Sequence, residues 1–115
     1  MITKEKLIKY GADVASGLTR CMQNEELYFR LIGMMANDTA VAALGEALKD
    51  GDLDRAFDLA HRLKGTAANL SLTPVFAPAS ELTELLRNKT PGDYDKIYEN
   101  IVRKIAELKE LSDQA

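Results

Sequence analysis

Apolar residues recur every three or four positions along almost the whole chain, the period of helices that each bury one face. The run after Asp93 shows it most plainly, with Tyr94, Ile97, Ile101, Ile105 and Leu108 on one stripe. The same period carries Leu27, Leu31, Ile32 and Met35, then Val41, Leu44 and Leu48, and later Leu82, Leu85 and Leu86. No run alternates apolar and polar residues as a half-buried strand does. The pattern predicts an all-α chain.

Capping residues divide that pattern into helices. Thr3 predicts a short helix ending near Gly11, and Asp13 a second reaching about Met22. Asn24, followed by Glu25 and Glu26, opens a third, and Asp38 a fourth that stops at Asp50-Gly51. Asp52 caps the helix that follows, whose stripe continues to Leu70 before a turn at Ser71-Leu72. Thr73-Pro74 offers an N-cap with proline at the first helical position, and Thr90-Pro91-Gly92-Asp93 repeats the device. Pro78 removes one donor and crowds the carbonyl of Pro74. Either the first turn of that helix is distorted, or the helix begins nearer Ala77. Residues 112–115 read as a frayed tail. Short connections between long amphipathic helices make neighbours antiparallel, so residues 24–111 are expected to form an up-and-down four-helix bundle behind an N-terminal helical extension, 1–22.

The helix after Asp52 holds the only histidine. On a wheel of about 100° per residue with His61 at zero, Ala56, Leu59, Leu63, Ala67 and Leu70 lie within about 40° of one direction near 200°. His61 therefore points away from the core. Asp54, Phe57, Lys64, Gly65 and Ala68 share its side, within about 60°. Gly65 follows His61 by four residues, where a glycine costs about 0.5–1 kcal/mol against alanine. No helix end is due there, so clearance beside the imidazole is the reason to accept the cost, and Ala68 extends the low surface. Lys64 stands three residues on, within reach of an anion placed on the ring. Phe57 is read as packing at the bundle edge or as docking surface. Met22, Met34 and Met35 are read as core fillers.

Composition removes several function classes. At 115 residues the chain supports one continuous core, and 46% apolar with 29% charged residues is ordinary globular composition. A net charge of −3 with no basic block disfavours nucleic acid, which needs a cationic patch. One cysteine, Cys21, excludes an internal disulfide and is expected as a small buried side chain in a reducing compartment. The first ten residues carry Lys4, Glu5, Lys6 and Lys9, unlike a signal peptide, and no stretch nears about 20 consecutive apolar residues. The expectation is a cytoplasmic monomer that binds no membrane, and a start at Met1 with a polar end reads as free-standing. A lone histidine cannot assemble a metal cage or a triad. It can accept a phosphoryl group, since a free imidazole titrates near about 6.5 and is mostly neutral and nucleophilic at neutral pH.

The run His61-Arg62-Leu63-Lys64-Gly65, followed by small residues and Asn69-Leu70, resembles the signature of histidine-containing phosphotransfer (HPt) domains. These are four-helix-bundle modules of bacterial, plant and fungal phosphorelays. The resemblance covers the hairpin from Asp52 to Asn88 well, and the outer helices in length and polarity. It implies that residues 1–115 form one HPt-like domain. It also implies that His61 carries the phosphoryl group, that Lys64 neighbours it, and that Gly65 leaves room for a docking receiver, with Leu63 a buried spacer. Ala68 and Phe57 would complete the partner-binding face. The chain departs from the family at Ala67, where Ser is frequent, at Ser71, where Gly is frequent near the turn, and at Pro78. In the family a polar side chain from the following helix often approaches the site, and Ser80, Thr83 and Glu84 are the candidates.

The function so implied is a phosphocarrier, not an enzyme with its own ATP site. It takes the group from a receiver-domain aspartyl phosphate and passes it to another receiver. Its partners would be response-regulator receivers and a hybrid sensor kinase. It would need no cofactor, with Mg²⁺ expected only on the partner receiver. A sensor-kinase dimerisation hairpin is the near rival, but its H-E-x-x-[TN]-P motif is not matched by Arg62 and Leu63-Lys64-Gly65-Thr66. No glycine-rich phosphate loop occurs either. The other alternative is a non-transferring bundle that binds and antagonises a receiver or kinase.

Overall fold

A computed structural model describes residues 2–113. Among the described residues seven helices follow one another: α1 (Lys4–Tyr10), α2 (Val14–Arg20), α3 (Glu25–Ala36), α4 (Ala40–Lys49), α5 (Leu53–Asn69), α6 (Thr73–Arg87) and α7 (Tyr94–Asp113). Among the described residues there is no strand, so the all-α expectation holds. No helix among them is long and apolar enough to cross a membrane. Side-chain caps open four helices where the sequence places them. Thr3, Asp13, Asn24 and Asp52 accept from the backbone N–H of Lys6, Ser16, Leu27 and Arg55 at 3.0–3.2 Å, each satisfying a donor that the helix itself leaves unpaired. Asp38 accepts from Ala40 N at 2.9 Å just ahead of α4.

Helices α4, α5, α6 and α7 pack in succession, and α7 also lies against α4, α3 and α1. Their inward stripes meet in a core that includes Leu44, Leu63, Leu82, Leu86, Ile101 and Leu108. The buried face of α5 is Ala56, Ala60, Leu63 and Ala67, closed by Leu70. That corrects the wheel by about 20°: Ala60 takes a core position and Leu59 is only half-buried at the edge.

Several boundaries differ from expectation. Thr73 is not a cap but the first residue of α6, with Leu72 before it and Pro74 in the first turn. Thr90 does not open α7. Its N–H instead bonds to Leu85 O at 2.9 Å, closing α6 through Lys89, which sits at φ 50°. Asp93 is the cap of α7, accepting from Lys96 N at 3.0 Å. Helix α6 runs from Thr73 straight through the buried Pro78, so a start at Ala77 is excluded. Helix α7 takes in Ser112 and Asp113 of the expected tail, while Gln114 and Ala115 lie outside the described residues. Cys21 and Met35 are buried as expected, but Met34 and Met22 are exposed, at 63% and 87%. Met34 faces outward on α3, one residue before Met35, and Met22 lies in a left-handed turn between α2 and α3 (φ 57°).

Three tyrosines tie distant helices together. The hydroxyls of Tyr28, Tyr98 and Tyr10 donate to the carbonyls of Leu70, Val41 and Lys104 at 2.8, 2.9 and 2.7 Å. Close approach to Tyr28 requires a glycine: a Cβ at Gly17 would lie 2.5 Å from the ring and hydroxyl. The Gly17→Ala chain is therefore expected to lose about 1–2 kcal/mol in a denaturant titration, overpacking outweighing the gain in helix propensity. Burial, with Cys21 and Asp13 nearby, pushes the Tyr28 phenol up to about 12. Burial raises Tyr10 and Tyr98 as well, with Glu107 and Glu46 adding to it. Each phenol is held neutral in the fold. The stability it contributes is complete below the unfolded value of about 10 and is lost as pH climbs through the folded value. Denaturation midpoints are expected to fall between about pH 10 and 12, and Tyr28→Phe to flatten that fall. At neutral pH the same substitution costs about 1–3 kcal/mol, because the Leu70 carbonyl loses its partner.

Candidate functional site

The strong burial of one side of α5 leaves the other in solvent, and His61 is exposed there. Among the described residues no hydrogen bond fixes its ring. Phe57, one turn earlier, lies beside it in an offset stack: the ring centroids are 5.8 Å apart and the planes 11° from parallel. The Arg87 guanidinium, from α6, lies 5.2 Å from the centroid of the Phe57 ring. Phe57 is half-buried and touches the imidazole itself. A spacing of four residues on a helix permits that contact, and it was the available sequence signal for it. Arg87 gave no such signal, since it arrives from another helix.

Lys64 is part-buried, with 27% of its side chain exposed, and its ammonium lies 3.9 Å from Glu84 Oε1. The same carboxylate oxygen is 3.4 Å from Arg87 Nε. Of the candidates on the following helix, Glu84 is thus the one that reaches the site's cation. Thr83 turns inward, is fully buried and donates to Ala79 O at 2.7 Å, while Ser80 is half-buried. Arg62, next to His61 in the chain, turns away to pair with Asp38 at 3.1 Å. The Glu84 contacts are long and half-exposed, so each is worth about 0–1 kcal/mol and is readily exchanged for a stronger anion.

Gly65 is exposed on the His61 side, and a Cβ built there meets nothing within 4 Å. No packing contact requires the glycine. Ala68, one turn on, is half-buried and borders a depression of about 230 Å³ lined also by Asp13, Ser71 and Phe76. The structure therefore brings His61, Phe57, Lys64, Gly65 and Ala68 onto one face of α5, with Glu84 and Arg87 beside it from α6. Among the described residues no group of three or more His, Cys, Asp or Glu side chains is placed to hold a metal ion. Chemically the face offers an open nucleophilic ring, two cations sharing one carboxylate, and unobstructed approach.

Filling an open helical position removes only the backbone-freedom cost of glycine. Gly65→Ala is therefore expected to raise stability by about 0.5–1 kcal/mol in a thermal or denaturant melt, opposite in sign to Gly17→Ala.

Neither curated proteins nor solved structures give a match to the chain. A family model described as Hpt domain matches residues 34–114, from the end of α3 through α7, which is well over half of the chain. The chain therefore belongs to the Hpt domain family, the histidine phosphotransfer modules of two-component phosphorelays.

Proposed function

We propose that His61 is the residue that carries the phosphoryl group, accepting it from the aspartyl phosphate of one receiver domain and passing it to another. The observation that supports this most is the exposed imidazole, stacked on Phe57, beside Lys64 and the open space over Gly65. One neutral ring nitrogen uses its lone pair to form the N–P bond as the acyl-phosphate O–P bond breaks, and the receiver's carboxylate leaves with that electron pair. The ring, now positively charged, releases the proton of its other nitrogen to water. Transfer onward takes a proton back and reverses the bond changes.

The transition state is loose and in line, so positioning and charge neutralisation supply most of the catalysis. Lys64 can leave Glu84 to balance the equatorial oxygens. The divalent ion is assigned to the receiver's acidic pocket, and the chain itself acts as a carrier without an ATP site. Gly65, Ala68 and Phe57 form the surface on which the receiver rests, and a hybrid sensor kinase is the expected upstream source.

The test is incubation with purified receiver domains labelled on their aspartate. Label is expected on the wild-type chain and absent from His61→Gln. Binding of the receiver without any label on the wild-type chain would favour the antagonist reading instead. Gly65→Gln should fold with a circular dichroism melt at or above that of the wild type yet accept label about tenfold or more slowly, since a misplaced donor loses its near-attack geometry. An unchanged rate would remove the clearance argument.

A further inference from the structure

Glu84 forms and breaks no bond in the transfer just described, yet its carboxylate pairs with both Lys64 and Arg87. Its Oε1 lies 3.9 Å from Lys64 Nζ and 3.4 Å from Arg87 Nε. Arg87 in turn lies over Phe57, which stacks on His61. A carboxylate, two cations and the aromatic ring stacked on His61 thus form one connected set that ends at the nucleophile. We propose that Glu84 is a positioning residue that acts as an internal stand-in for the phosphoryl group, holding Lys64 and Arg87 while His61 is empty and competing for them once it is loaded. The inference rests on His61 being the phosphoryl acceptor.

The physical basis is competition between anions. A phosphoryl dianion carries more charge and more acceptor oxygens than a carboxylate, so it wins the cations. It must nonetheless displace Glu84 and then tolerate that carboxylate nearby, with like charges in unfavourable proximity. Both effects raise the free energy of the loaded state and leave the empty state neutralised. A carrier works best when it neither refuses the group nor keeps it. Glu84 moves the balance toward release, whereas Lys64 and Arg87 move it toward acceptance. Because the carboxylate and both cations are partly solvated, the effect is modest and weakens with salt.

The experiment measures the equilibrium division of label between His61 and a purified receiver domain that labels it. Glu84→Gln is expected to shift the division toward His61 by about three- to tenfold, the size that two surface ion pairs permit. Arg87→Gln should shift it the other way, by about twofold or more, since Glu84 then bears on Lys64 alone. Glu84→Asp keeps the charge and should stay within about twofold of the wild type. Glu81→Gln, exposed on the same helix but facing the groove toward α7, should leave the division unchanged. The Glu84→Gln shift should shrink as salt is raised through the range in which surface charges are screened. Opposite signs for Glu84→Gln and Arg87→Gln are not what a loss of packing produces. An unchanged or lowered division for Glu84→Gln, with label still lost in His61→Gln, overturns this inference alone. Label that persists in His61→Gln overturns the reading of the acceptor, and this inference with it.

Discussion

Three of the four residues that α5 turns fully inward are alanines, Ala56, Ala60 and Ala67, with Leu63 between them. One-carbon side chains let neighbouring helices come near the lower end of the usual interaxial range, so α4 and α6 can grip this helix along its length. Everything at the site depends on that grip. A nucleophile on an exposed face has no core contacts of its own, and its place is set by how firmly the opposite face is held. The alanine face lets α5 be anchored from behind while His61, Gly65 and Lys64 remain in reach of a partner.

The tyrosines complete the anchoring at the ends. Tyr28 reaches from α3 to the last carbonyl of the α5 corner, and Tyr98 from α7 to α4. Such bonds form only if the phenol is neutral and space is reserved for its ring, and Gly17 reserves that space for Tyr28. Among the described residues no buried side-chain nitrogen or oxygen is without a partner. The polar groups taken into the core therefore add specificity of contact without a desolvation penalty left standing.

Local chemistry was legible in the residues, and tertiary chemistry was not. Thr3, Asp13, Asn24 and Asp52 announced their helices because a capping bond spans three residues and needs nothing from elsewhere. The outward direction of His61 followed from periodicity, although the choice between Leu59 and Ala60 did not. A wheel weighs hydrophobicity, while the close approach of α4 and α6 favours the smaller side chain. Thr90 looked like a cap because of Pro91, but a left-handed Lys89 turned it into the end of the preceding helix. Arg87 and the Glu84 bridge depend on how α6 is rotated against α5, a quantity no single-helix pattern contains. Met22 and Met34 are apolar by type only, since one stands in a turn and the other on an outward flank.

Ser71 occupies a backbone conformation (φ 55°) that an L-residue adopts at a cost of about 1–2 kcal/mol. Its support comes from upstream: the Asp13 N–H bonds to its carbonyl at 2.9 Å, and its hydroxyl donates to Ser16 Oγ at 3.1 Å. The matched region begins at residue 34 and so excludes both partners, along with Tyr28. Trimming the chain to that region would remove the protein partners of the Leu70 and Ser71 carbonyls and the Ser16 contact of the left-handed serine. Residues ahead of the part that bears the family's signature thus act as a brace for the elbow on which the histidine's helix turns.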